Sequence, residues 1–207
     1  MPKGNSSALL IVISAPSGAG KTTLCQNLLD SSPAIERAVT CTTRPAREGE
    51  VDGRDYYFLS KDDFETRIHQ GAFLEHAEVY GRRYGTLKQE VETKLNSGSD
   101  VLLNIDVQGA ASLRQEAQSS HLLARSMITV FLVTASFAEL ESRLRGRGQD
   151  SEEVTLRRLA AAKEEFEQRH HFDYLLVSDT RAEDLRRMQV LIEAEKLKQS
   201  RVFAPSL

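Results

Sequence analysis

Leu9-Leu10-Ile11-Val12-Ile13-Ser14-Ala15-Pro16-Ser17-Gly18-Ala19-Gly20-Lys21-Thr22-Thr23 is the stretch on which the reading of this chain turns. Leu9–Ile13 is an apolar run, rich in β-branched residues, with the length of a parallel strand covered on both faces. Gly18 and Gly20 let the backbone fold tightly enough for several N–H groups to converge on one anion. Lys21 adds a full positive charge, and Thr22 offers a hydroxyl to a magnesium ion. A helix beginning at Lys21 turns its positive end toward the same anion. Strand, glycine turn, lysine, threonine and helix in this order make a mononucleotide-binding phosphate loop. Ala15, Pro16, Ser17, Gly18, Ala19, Gly20, Lys21, Thr22 and Thr23 are the residues expected to hold the nucleotide. One position departs from the G-x-x-x-x-G-K-[ST] pattern: Ala15 stands at the first glycine, so the turn there must tolerate a Cβ.

Composition narrows the partners. The 27 basic and 30 acidic residues leave a formal charge of −3, which gives no bulk attraction to nucleic acid or to an anionic membrane. An anion site must therefore come from local clusters, and small molecules are the expected partners. Cys25 and Cys41 do not make a disulfide framework. Met1–Ser7 is polar, and the longest apolar runs are too short to cross a bilayer, so the expected location is the cytoplasm. A chain of 207 residues can build one core with appendages.

Outward from the loop, strand and helix signals alternate. A helix is expected from about Lys21 to Leu29, stopped by Ser31-Ser32-Pro33, and a second strand ends near Thr40. Val101–Ile105, Met127–Val133 and Tyr174–Val177 read as further short apolar strands, with a helix near Ala110–Ala117. This pattern predicts an α/β fold, a parallel sheet covered by helices on both faces. Ser119–Ser126 reads as an irregular loop, and Asp150 with Glu153 as a capping box. Val154, Leu159, Ala162 and Phe166 recur at helical spacing as a core-facing stripe.

Two segments interrupt the alternation. Arg44–Gly98 is aromatic and charged, with short strands at Tyr56–Phe58 and Phe73-Leu74 and helices near Lys61–His69 and Leu87–Leu95. It reads as an inserted α+β lobe. Arg143–Arg158 carries Arg143, Arg145, Arg147, Arg157 and Arg158 around an Arg-Gly-Arg-Gly break. Arg145 and Arg157 fit a solvated helix face, while the break makes a flexible basic loop suited to a phosphate.

The ordered pieces Ser14–Thr22, Thr42-Thr43-Arg44-Pro45-x-Arg47-x-Gly49-Glu50, Asp55-Tyr56, Phe73-Leu74-Glu75, Tyr84-Gly85-Thr86, Ile105-Asp106-x-Gln108-Gly109 and Arg147-Gly148 resemble guanylate kinases. The resemblance runs from Leu9 to about Asp179. It implies one domain: a P-loop core at about 8–38, 99–142 and 159–207, a GMP-binding lobe at about 39–98 and a short helical lid at about 143–158. It also implies transfer of the γ-phosphoryl group of MgATP to GMP, and to dGMP. The matched acceptor residues are Thr40, Arg44, Arg47, Glu50, Tyr56, Glu75, Tyr84, Thr86 and Asp106. Lys21, Arg44, Arg143, Arg147 and Arg158 match the residues that act on the transferred group, and Thr22 and Asp106 the magnesium site.

These assignments make chemical sense. Guanine's pairing edge presents two adjacent donors that one carboxylate can accept, whereas adenine presents a lone pair there. Glu75 is that carboxylate by resemblance, with Thr40 and Thr86 in place of the serines common in the family. Arginine forks and tyrosine hydroxyls suit the monophosphate. Two matched positions differ: Asn104 replaces an acidic residue, keeping an acceptor and losing a charge, and Ser178 replaces an asparagine expected near the adenine of ATP. No catalytic base is needed, because the acceptor phosphate, with a second pKa of about 6, is already mostly a dianion at neutral pH. No histidine falls in a motif; His170-His171 reads as a helix end. Three rival readings stand beside this one. They are a monophosphate kinase for another base, a non-catalytic interaction module of the same fold, and a GTPase switch, for which no Asn-Lys-x-Asp guanine motif is present.

Overall fold

The apolar stretch at the start of the phosphate loop forms β1 (Leu10–Ser14), buried along its whole length. In this computed structural model, residues 6–79, 81–146 and 151–202 are described, and the expectations placed on Arg147, Gly148 and Asp150 lie outside them. β1 pairs in parallel with β7 (Asp100–Asn104) and β8 (Met127–Val133). β2 (Ile35–Arg37) and β9 (Tyr174–Val177) add parallel edges, giving a five-stranded sheet in the order β2-β7-β1-β8-β9.

Alternation along β1 sends Ile11 and Ile13 to one face and Leu10 and Val12 to the other. The first face is covered by α1 (Lys21–Ser31), α6 (Phe137–Arg145), α7 (Glu152–Glu167) and α8 (Arg181–Lys196), through Leu28, Leu144, Leu159 and Met188 among others. The second lies under α3 (Lys88–Ser97), α4 (Val107–Ala117) and α5 (His121–Ser126), which contribute Val91, Leu113 and Leu123. Each such side chain contributes roughly 1.5–3 kcal/mol on burial. The strand's alternation thus selects which helices pack where, and both faces are covered as the sequence predicts.

The inserted segment builds a second sheet from β3 (Thr40–Thr42), β4 (Tyr57–Phe58), β5 (Phe73–Val79) and β6 (Arg82–Leu87), in the order β4-β3-β6-β5. It packs on α2 (Lys61–His69), where Phe64 stacks on Phe73 with ring centroids 4.4 Å apart. The strand expected to end near Thr40 is two strands. Arg37 is the last residue paired in the main sheet, and the Val39 amide then donates to the Glu90 side chain. With its amide turned to α3, the chain leaves one sheet and enters the other at Thr40.

Three local expectations change. Ser119–Ser126 is not an irregular loop: Ser120 accepts from the Leu123 amide and starts α5, a single-turn helix whose Leu123 reaches the core. The cap of α7 is Ser151, whose hydroxyl accepts from the Val154 amide. β6 extends the Tyr84-Gly85-Thr86 motif into a full strand, because its backbone is bonded by β3 on one side and β5 on the other.

Candidate active site

At the C-terminal end of β1 the chain turns through Ala15–Gly20 into α1. Gly18 and Gly20 have φ values of 95° and 100°, a region that side chains with a Cβ rarely occupy. At Gly18 a Cβ would also stand 3.0 Å from Leu144 Cδ2, so the loop needs glycine there for packing against α6 as well. Ala15 carries the Cβ that the motif's first glycine would lack, and its methyl packs into the core beneath the loop. The start of α1 has no side-chain cap, unlike α4, α6 and α8, which are capped by Asp106, Ser136 and Thr180. Its first N–H groups are available to an anion.

Lys21, half-buried, donates from Nζ to the Ile105 carbonyl at 2.8 Å. Burial holds its ammonium below the usual lysine range, opposed by the negative charge of Asp106 and Glu165. Thr22 is exposed at the first turn, and Thr23 faces a cavity of about 560 Å³. That cavity is lined by Gly18, Gly20, Asn27, Arg143, Ser178 and Arg181, among others. Ser178 is fixed there: its hydroxyl donates to Asp184 at 2.8 Å, and the next amide, Asp179, donates to the other oxygen of the same carboxylate.

A second cavity, of about 510 Å³, opens between the lobe and the end of β7. Thr40, Arg44, Arg47, Tyr56, Glu75, Tyr84 and Asp106 all line it. Sheet register explains how residues so far apart in sequence meet. Thr86 on β6 lies opposite Thr40 on β3 and opposite Glu75 on β5, so the three form one row across the sheet. Two residues along, Tyr84 lies opposite Thr42 and Ala77.

Within that row the Thr86 hydroxyl donates to Glu75 Oε1 at 2.6 Å, and both side chains are buried. Burial pushes the Glu75 carboxyl up to about 7; the Thr86 bond opposes the rise and the charge of Asp106 adds to it. Its second oxygen lies against α4, where a Cβ on Gly109 would come within 2.7 Å of Oε2. Gly109 is the close approach that seats this carboxylate. Asp106 caps α4 by accepting the Gly109 amide at 2.8 Å, so the Asp106–Gly109 motif both starts the helix and borders the cavity.

At the other end of the cavity Arg44 is clamped by Glu50 through two bonds of 2.9 and 2.8 Å. The Arg47 amide donates to the same carboxylate at 2.7 Å. Those bonds hold the Glu50 carboxyl below its ordinary range. The Arg44 guanidinium lies 5.4 Å from the Tyr56 ring centroid, and Tyr56 meets Tyr84 edge-on at 6.2 Å. Glu50 and Thr86 therefore stand behind the cavity and orient residues that line it.

The lid arginines divide. Arg143, near the end of α6, donates to the Ala19 carbonyl of the phosphate loop at 3.3 Å and pairs with Glu139. Arg158 sits half-buried on α7 and lines neither cavity. Arg145 pairs with Glu141 and Glu152, the solvated helix face expected of it. Arg37, Arg82 and Asn27 also line the cavities, and Glu165 sits close enough to Lys21 for their charges to interact. None of these four carries a local motif; only register and helix packing bring them in.

A phosphate loop on a parallel sheet, with a second cavity of arginines, tyrosines and one buried carboxylate, defines a P-loop kinase of small phosphorylated acceptors. Comparison with known proteins narrows the class. The guanylate kinase family model matches residues 7–195. The guanylate kinase of Maricaulis maris is 43% identical over 199 residues, 96% of this chain and 88% of that one. That of Thiobacillus denitrificans is 47% identical over 174 residues, 84% of this chain and 80% of its own. The crystal structure of guanylate kinase from Anaplasma phagocytophilum superposes with a TM-score of 0.74 at 30% identity, covering 95% of this chain and 90% of that one. The chain belongs to the guanylate kinase family.

Proposed function

We propose that the chain transfers the γ-phosphoryl group of ATP to GMP, and to dGMP, giving ADP and GDP, with ATP at the phosphate loop and GMP in the lobe cavity. The observation that carries the choice of acceptor is the buried Glu75 carboxylate, held by Thr86 in a row with Thr40, at the opposite end of the cavity from Arg44 and Arg47. An ionised Glu75 accepts from guanine's N1–H and 2-amino group, and adenine cannot supply those donors.

Arg44, Arg47, Tyr56 and Tyr84 grip the acceptor phosphate, Arg44 being pre-set by Glu50 before any ligand arrives. The phosphate is already mostly a dianion at neutral pH, its second pKa being about 6, so no residue need remove a proton. The loop amides and Lys21 hold the donor's phosphates, and Lys21 exchanges the Ile105 carbonyl for an anion. The Thr22 hydroxyl and the Asp106 oxygen not engaged by Gly109 are hard-oxygen donors of the kind magnesium takes and would hold it, the other ligands coming from water and phosphate. When bound, magnesium neutralises charge on the donor's phosphates.

Arg143, with Arg147 and Arg158 from the lid segment, approaches the moving group as the lobe and lid close over the core. Closure brings the two phosphates into line and keeps water from the donor. The surroundings in which such a kinase meets both nucleotides are those of the cytoplasm. A coupled assay of ADP release with GMP, dGMP, AMP, UMP and CMP tests the reading. Turnover should be confined to GMP and dGMP, and equal specificity constants for AMP and GMP would overturn it.

A further inference from the structure

Arg37 belongs to none of the short motifs that carry the family resemblance, yet it lines the acceptor cavity together with Arg44 and Arg47. It is the last residue of β2, paired with Leu102 in the main sheet, so it approaches the cavity from the core and not from the lobe. Its Nη2 donates to the Asp55 carbonyl at 2.9 Å, and its guanidinium lies 5.6 Å from the Tyr56 ring centroid. Tyr56 thus meets two guanidinium groups, those of Arg37 and Arg44, at the end of the cavity remote from Glu75.

The charges at that end differ in kind. Arg44 is bound through both terminal nitrogens to Glu50, so this pair sums to zero. One oxygen of the Asp55 carboxylate, Oδ2, accepts from Arg54 and from the Val51 amide. Arg37 meets a neutral carbonyl and a ring, and neither it nor Arg47 forms an ion pair with a carboxylate among the described residues. The Arg37 guanidinium acts on the Asp55 carboxylate, and that of Arg47 on Glu50, only through the field and not through a side-chain ion pair. Both guanidinium groups therefore keep N–H donors for a phosphate monoester, a dianion above a pKa of about 6, in the space they border. Most of the five N–H donors of Arg37 are not engaged by the Asp55 carbonyl.

We propose that Arg37 is a further ligand of the acceptor's phosphate group, contributed by the core sheet. The inference rests on the reading of this cavity as the GMP site. It assigns Arg37 to the phosphate end and not to base recognition, and makes it part of the ground-state grip.

Binding of GMP and of guanosine, measured by calorimetry on wild type, Arg37→Gln and Arg37→Lys, tests it together with steady-state kinetics. Arg37→Gln should weaken GMP about tenfold, the scale of one charge-assisted bond, while guanosine affinity and the turnover number stay within about twofold. Arg37→Lys should recover most of the loss, because it restores charge without the planar fork. A purely structural tie to Asp55 gives the reverse order, since a glutamine amide still reaches a carbonyl. Unchanged GMP affinity in Arg37→Gln, or equal weakening of GMP and guanosine, would overturn the proposal. A wild type that prefers GMP to guanosine by nothing would instead overturn the reading of the cavity beneath it.

Discussion

The cavity beside the phosphate loop and the cavity in the lobe are built on opposite plans. Around the phosphate loop, the groups offered are mainly backbone: uncapped amides at the start of α1, two glycines at positive φ and one lysine, all within Ala15–Thr23. The lobe cavity is lined by side chains drawn from β3, β5, β6, the 44–56 turn and the start of α4. A backbone cradle suits phosphates that every ATP shares, and it tolerates changes such as Ala15 wherever the φ requirement is absent. A side-chain cavity can tell one base from another, but it works only if separate strands keep their register.

The largest expected effect falls on the backbone site. Lys21→Ala should lower the turnover number by at least about 10³, the scale of removing one cation from a transferring phosphoryl group. Burial already disfavours the Lys21 ammonium, so its removal should leave the melting temperature unchanged or slightly raised. A folded Lys21→Ala protein with near-normal turnover would break the contrast at its root.

Glu75→Gln should come next. The specificity constant for GMP should fall about 10²-fold or more, because two charge-assisted bonds are lost and an amide donor faces guanine's donors. Stability should move the other way. The folded carboxyl at about 7 lies above its ordinary 4.5, so its contribution is favourable below about pH 4.5 and is lost as pH rises through about 7. Glu75→Gln should therefore raise the melting temperature more at pH 8 than at pH 5, by at most about 3 kcal/mol in unfolding free energy. Equal effects at the two pH values would show that burial does not strain this carboxylate.

Arginines at the two cavities should fail differently. Arg44→Met should chiefly raise the Michaelis constant for GMP, by about 10- to 10²-fold, because its phosphate is present in the ground state. Arg143→Met should chiefly lower the turnover number, because its contact with the moving group strengthens as charge shifts. The same split in both variants would merge roles that the geometry keeps apart.

Gly109→Ala sharpens the contrast further, since it alters neither charge nor ligand. A Cβ there must push back the Glu75 carboxylate or shift α4, which overpacking data put at about 1–3 kcal/mol. About a tenfold rise in the Michaelis constant for GMP should follow, and an unchanged constant would show that Glu75 does not act from this position. The smallest effect is the wild type's pH dependence. Guanosine, whose phosphate is absent, should bind several-fold more weakly at pH 6 than at pH 8 as Glu75 protonates, and Glu75→Gln should abolish the trend.

What could be read from the sequence alone follows the same division. Leu9–Thr23 determined the central strand, the glycine turn and the uncapped helix start of a phosphate loop, because those parts are consecutive and each acts through local geometry. Strand alternation similarly announced a sheet covered on both faces. The acceptor residues were legible only as pieces of a family pattern, since nothing local in Glu75, Thr40 or Thr86 tells that they share a row. Arg37, Asn27 and Glu165 gave no signal at all, and Ser119–Ser126 concealed a helix that only tertiary burial of Leu123 sustains. Tertiary structure decided these, for a physical reason. Register and packing act between residues distant in the chain, and they alone fix which side chains share a cavity and how far burial moves a carboxyl such as Glu75.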